Sequence, residues 1–146
     1  MRYSRIIFVC QDNTILSPMA EAILKDMVKN DSIEVLSRGM VVLFPEPFHE
    51  NVKKLLKKQK IRFQGEATAP FCKEEVNDET LILTMTISQS IKIAEECGNM
   101  EQVETLKKFA GEEGDIADPF GSGYEEYEAI FLELKRLIGR MILRLE

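Results

Sequence analysis

The stretch Val9-Cys10-Gln11-Asp12-Asn13-Thr14-Ile15-Leu16-Ser17-Pro18-Met19-Ala20-Glu21 decides how this chain folds. Before it, Arg5-Ile6-Ile7-Phe8-Val9 is a β-rich apolar run, suited to a strand buried on both faces. After it, a helix is expected to about Lys29, with Ser17 as cap, Pro18 in the first turn and Glu21 early. Ala20, Ile23, Leu24, Met27 and Val28 recur at spacings of three and four and form its inward face. Between strand and helix lies a turn spanning Gln11 to Ser17. Its backbone N–H groups and the helix N-terminus converge on one point and make an anion cradle. A cysteine at the base of such a cradle is expected to have a lowered pKa and to be a nucleophile. Taken alone, Cys10 reads more simply as the last buried residue of the strand.

The same alternation continues outward. Ile33-Glu34-Val35-Leu36 reads as a second strand stopped by Ser37-Arg38-Gly39, and residues 51–60 as a helix with Val52, Leu55 and Leu56 inward. Thr80–Met85 is a third strand, Ser88–Glu96 a helix ended by Gly98, and Val103–Leu106 a short fourth strand. A glycine-rich turn region leads to a last helix from about Tyr124 to Leu145, with Tyr127, Phe131, Leu134, Leu137, Ile138 and Met141 as its core stripe. Alternating strands and helices predict an α/β fold: a single three-layer domain over residues 1–146, with a four-stranded parallel sheet flanked by helices. Ligands of such folds sit beyond the carboxyl ends of the strands.

Composition narrows the function. The chain has 146 residues, 45% hydrophobic and 30% charged, which is an ordinary soluble domain. A net charge of −6 argues against nucleic acid as a partner. The apolar runs are far shorter than the roughly 18–20 residues of a membrane span, and the first is too short for a secretory signal, so neither a membrane partner nor export is expected. Cys10, Cys72 and Cys97 form neither a disulfide framework nor a metal pattern and suit the reducing cytoplasm. His49 is the only histidine and has no obvious companion ligands, so it reads as a surface or cap residue and no metal is expected. Lys53, Lys54, Lys57 and Lys58 fall on the solvated side of their helix. The apolar run Met40-Val41-Val42-Leu43-Phe44 is unusual for a loop and suggests a greasy wall or an association surface.

Phe8-Val9-Cys10, Asn13 and Ser17-Pro18-Met19-Ala20-Glu21 resemble the active-site loop of low-molecular-weight protein tyrosine phosphatases, V-C-x-G-N-x-C-R-S-P-M-A-E. Asp118-Pro119-Phe120 resembles the family's D-P-aromatic loop. Ser37-x-Gly39 and Thr84-Met85-Thr86 resemble its segments after strands two and three. The resemblance implies that Cys10 attacks phosphorus, that Asp118 is the acid and base, and that Ser17 steadies the thiolate. It also implies that Asn13 braces a phosphate loop of Gln11, Asp12, Asn13, Thr14, Ile15 and Leu16. No cofactor is implied. The substrate would be a phosphorylated protein or a small phosphomonoester.

Three positions depart from that pattern. Asp12 replaces a glycine, Ile15 a cysteine and Leu16 the loop arginine. An arginine fork makes charge-assisted bonds to phosphate and neutralises the transferring group, which leucine does not. Asp12 tolerates a left-handed backbone but repels a dianion if its carboxylate faces the cradle. Two accounts follow: a phosphatase of strongly reduced activity, with Arg38 as the candidate replacement cation, or an inactive relative that binds an anion or a protein partner. Arg38 as a solvated loop residue is the plainer reading. Arsenate reduction, which uses the same fold, is disfavoured because Cys72 and Cys97 lie far apart in sequence.

Overall fold

A computed structural model describes residues 3–28, 32–98 and 101–145. Four strands, β1 (Arg5–Cys10), β2 (Glu34–Gly39), β3 (Thr80–Thr84) and β4 (Val103–Thr105), form one sheet in the order β2-β1-β3-β4. Every pairing is parallel. The chain leaves β1 for β2 on one side and returns to β3 on the other. The strand order therefore reverses beside the carboxyl end of β1, where α/β sheets open a crevice for ligands. Cys10 is the last residue of β1 and stands at that point.

Among the described residues five helices cover the sheet: α1 (Leu16–Val28), α2 (Glu50–Lys58), α3 (Ile87–Cys97), α4 (Leu106–Phe109) and α5 (Tyr124–Leu145). Alternation along β1 divides the core. Ile6, Phe8 and Cys10 join the large cluster with α1, α2 and α5, while Ile7 and Val9 pack with Ile93, Ala94 and Val103 on the α3 side. This is the expected three-layer arrangement. No helix among the described residues is long and apolar enough to cross a membrane.

Several boundaries differ from the sequence expectation. β2 runs on through Ser37-Arg38-Gly39, because β1 offers partners as far as Cys10 and Gly39 closes the register. The polar residues do not stop the strand, since this end of the sheet is where polar groups find buried partners. α1 starts at Leu16, so Ser17 lies inside the helix and does not cap it, and no acidic residue occupies the first turn. Glu21 pairs instead with Lys25. The intervening loop is shortened to residues 11–15. Lys29 lies outside the described residues.

α2 begins at Glu50, capped by His49, whose Nδ1 accepts from the Asn51 amide at 3.1 Å. It ends before Lys60, whose φ of 60° is left-handed and breaks the helix. Thr86 and Gln89 form a capping box that starts α3 at Ile87, and Gly98 ends it in the left-handed region. β3 stops at Thr84 and β4 at Thr105; Thr105 caps α4, a helix the sequence reading missed. The 3-10 turn at Lys73–Glu75 was also missed.

Candidate active site

Asn13 determines the shape of the loop. Its φ of 65° is left-handed, a region asparagine tolerates better than most residues. The side chain is buried and fully used. Nδ2 donates to Ser17 Oγ at 2.8 Å and to Ser37 Oγ at 3.0 Å, and Oδ1 accepts from the Ala69 amide at 3.0 Å. The segment after β2 lies along the loop, with the Met40 amide on Cys10 O and the Val41 amide on Gln11 O. His49 fixes the far side, its amide donating to Thr14 O at 3.0 Å.

Cys10 is 2% exposed. Its Sγ lies 3.0 Å from Ser17 Oγ and accepts from the Ser17 amide at 3.4 Å. Ser17 Oγ also reaches Arg38 O at 3.3 Å. With the thiol protonated, the Ser17 hydroxyl is free to donate to that carbonyl. With the thiolate present, it turns its proton to sulfur. Burial pushes the Cys10 thiol above its ordinary value; the Ser17 hydroxyl, the Ser17 amide and the Asn13 amide oppose this, and the Asp12 charge adds to it. The sequence led us to expect a lowered thiol pKa. Desolvation wins here because Cys10 is buried in the large apolar cluster, to which Ile15 and Leu16 also belong, and neither of those residues supplies a cation.

Asp12 is exposed and folds back on its own loop, Oδ1 accepting from the Thr14 amide at 3.1 Å and from Thr14 Oγ1 at 2.7 Å. Gln11 is exposed and Thr14 half-buried. Arg38 is neither a solvated loop residue nor an available cation. It lies in β2, and its guanidinium grips Glu75 through Nε at 2.9 Å and Nη2 at 2.8 Å while Nη1 donates to Ser37 O at 2.7 Å. A fork closed on a carboxylate in this way has its charge neutralised.

Backbone bonds bring the Asp118 loop to the same edge. Met85 N donates to Val9 O at 3.2 Å, and Ile116 N donates to Met85 O at 2.9 Å. Asp118 itself is exposed and accepts from the Phe120 amide at 2.9 Å across Pro119. His49 bridges the two loops. Its ring stacks on Tyr127 at 5.0 Å and meets Phe120 edge-on at 6.4 Å. Tyr127 has its pKa raised, first by burial and then by the Asp118 charge. Glu112 is held by Arg136 and Arg140, and Asp115 accepts from the Ile87 amide at 2.8 Å.

Cys10, Asn13, Ser17 and the Asp118 loop thus share one end of the sheet. Sequence reasoning missed the backbone amide of Ala69, which carried no signal. It also undervalued His49, whose position before a lysine-rich helix marked a cap and nothing more. Cys72 is exposed and Cys97 half-buried, and both are free thiols. Among the described residues no group of three His, Cys, Asp or Glu side chains is placed to hold a metal ion.

Comparison with known proteins agrees with this geometry. A family model described as low molecular weight phosphotyrosine protein phosphatase matches residues 5–146. A low molecular weight protein-tyrosine-phosphatase, PtpB of Staphylococcus haemolyticus, is 32% identical over 137 residues, covering 94% of this chain and 96% of its own. A protein-arginine-phosphatase of Geobacillus stearothermophilus is 35% identical over 144 residues, 97% of this chain and 96% of its own. The crystal structure of a low molecular weight protein tyrosine phosphatase from T. tengcongensis superposes with a TM-score of 0.88 at 30% identity, covering 96% of this chain and 98% of its own. These matches span the whole sheet, the cysteine loop and the Asp118 loop, and the chain belongs to the low molecular weight phosphotyrosine protein phosphatase family of cysteine-based phosphatases.

Proposed function

We propose that the chain hydrolyses phosphomonoesters of phosphoproteins through Cys10 at a strongly reduced rate. The observation that carries this reading is the Cys10–Ser17 contact at 3.0 Å beside Leu16, which opens α1 and is buried in the core. The thiol's partner is in place and the loop's cation is absent. Relatives named as protein-tyrosine and protein-arginine phosphatases support a phosphoprotein as the substrate class.

The steps balance with the chain's own groups. Cys10 Sγ, as thiolate, attacks phosphorus and forms an S–P bond while the bond to the leaving atom breaks. Asp118 gives its proton to that leaving atom. Water then attacks phosphorus, Asp118 takes a proton from it, the S–P bond breaks, and phosphate leaves. Charge on the phosphoryl oxygens is met only by loop amides and the N-terminus of α1. Arginines in comparable phosphoryl transfers contribute about 10³–10⁵ in rate, or roughly 4–7 kcal/mol of barrier.

A second reading is an inactive relative that binds a protein partner, favoured by the raised Cys10 thiol pKa and by Asp12 in the loop. Turnover of p-nitrophenyl phosphate separates them. Slow turnover that Cys10→Ser abolishes and Leu16→Arg raises at least about a hundredfold supports the weak phosphatase. A wild-type rate equal to buffer, with activity appearing only in Leu16→Arg, supports the second reading. Turnover at the velocities of ordinary enzymes overturns both.

A further inference from the structure

We propose that the rim of this site is a docking surface for a basic protein segment that carries an apolar or aromatic side chain. The inference takes the site's location from the reading above and does not require turnover.

Two independent features carry it. The first is an apolar patch. Val41, Leu43, Phe44 and Phe120 are 55%, 87%, 63% and 73% exposed, half of the large apolar side chains left in water among the described residues. Three of them lie on one arch, residues 41–48, pinned to the cysteine loop at both ends. The Met40 and Val41 amides hold Cys10 and Gln11, and the His49 amide holds Thr14. Phe120 joins through its edge contact with His49. These side chains are exposed among the described residues, and exposed apolar side chains gathered on one rim mark an interaction surface.

The second feature is the charge of the loops at this end of the sheet. No lysine or arginine occurs at residues 10–24, 39–52, 63–72, 85–91 or 109–123, and the nearest exposed lysines on the arch side, Lys53 and Lys54, begin one turn into α2. The same segments carry Asp12, Glu46, Glu50, Glu66 and Asp118, all exposed. Glu46 and Glu66 belong to this edge because the 46 and 68 backbones pair through Thr68 N on Glu46 O at 2.8 Å, and Ala69 N bonds Asn13. Arg38, one residue before the end of β2, is closed by Glu75. The rim therefore attracts cations and repels both a bare dianion and a second copy presenting the same face. A cationic segment answers the carboxylates, and an apolar side chain in it covers Leu43 and Phe44.

Fluorescence anisotropy of a labelled, unphosphorylated peptide of alternating lysine and serine around a central Phe-Leu pair tests this, using the full chain with Cys10→Ser. The peptide should bind, and a variant with glutamate for lysine should not. Raising salt to about 0.3 M should weaken binding about tenfold as exposed charges are screened. Leu43→Ser with Phe44→Ser should weaken it at least about tenfold, the loss expected for two uncovered side chains. Glu46→Gln with Glu50→Gln should weaken it about threefold. No binding, equal binding of the acidic peptide, or indifference to Leu43→Ser/Phe44→Ser overturns the proposal. Concentration-dependent self-association that Leu43→Ser/Phe44→Ser abolishes assigns the patch to the lysine face of a second copy instead and also overturns it. Turnover of p-nitrophenyl phosphate by the unaltered chain is read in parallel. Lost docking with turnover intact sinks only the surface, and docking without turnover sinks only the reaction.

Discussion

Replacing Asn13 by alanine tests what holds the loop. The side chain is 1% exposed and makes three hydrogen bonds, to Ser17 Oγ, Ser37 Oγ and the Ala69 amide. Each is worth about 0.5–1.5 kcal/mol net, so their loss costs about 2–4 kcal/mol. Ser17 keeps Cys10 and the Arg38 carbonyl as partners, whereas Ser37 Oγ and the Ala69 amide lose theirs, which favours the upper half of that range. The left-handed φ of 65° adds about 1 kcal/mol for alanine. The total is about 4 kcal/mol, a large share of the 5–15 kcal/mol typical of a domain. At roughly 2–4 °C per kcal/mol for a chain of this size, the midpoint falls by about 10 °C. Asn13→Gly loses the same bonds without the backbone strain and should be about 1 kcal/mol more stable than Asn13→Ala. Thermal melts followed by circular dichroism, with urea titrations alongside, read both. An Asn13→Ala protein within about 1 kcal/mol of the parent, or a glycine variant less stable than the alanine one, refutes the reasoning.

Two further outcomes follow from the same loop. A Cβ on Gly39 would stand 2.7 Å from Val42 Cγ2, 2.9 Å from Asp12 C and 3.0 Å from Asn13 N. Gly39→Ala should therefore cost about 1–3 kcal/mol in urea titration, and adding Val42→Ala should restore less than half, since the two backbone contacts remain. The buried Cys10 thiol, raised in the folded chain, should be alkylated by iodoacetamide with a midpoint above the ordinary value of about 8.5. The sign for stability follows. The folded pKa lies above the unfolded one, so this contribution is fully present below pH ~8.5 and is lost as pH rises through that value toward the folded pKa. A Cys10→Ala chain should show a flatter decline above about pH 8.5 when unfolding is measured at several pH values. Parallel declines would refute it.

How far the sequence could be read follows from which forces are local. β1, α1 and α5 were legible because their apolar spacing is periodic and their faces are buried. The Cys10 and Asp118 loops were legible through resemblance. What was not legible depends on tertiary partners. Ser37-Arg38-Gly39 looks like a strand stop until β1 is seen to offer pairing through Cys10. Ser17 looks like a cap until Asn13 and Cys10 claim its hydroxyl. Arg38 looks free until Glu75, distant in sequence, closes on it. The direction of the Cys10 pKa failed for the same reason: helix dipole and amides are local and point down, whereas desolvation is a property of the whole packed cluster and points up.

The fold does not need the cation that phosphoryl transfer needs. The loop is held by neutral bonds from Asn13, Met40, Val41 and His49, and none of them involves position 16. Leu16, 3% exposed, adds roughly 1.5–3 kcal/mol of apolar burial that a guanidinium turned toward a ligand would forgo. Stability and catalysis therefore pull in opposite directions at this residue. Leu16→Arg is expected to raise turnover while lowering the melting temperature, and the scaffold that survives without the arginine is the same one that leaves an acidic, apolar rim free to hold something other than a bare phosphate.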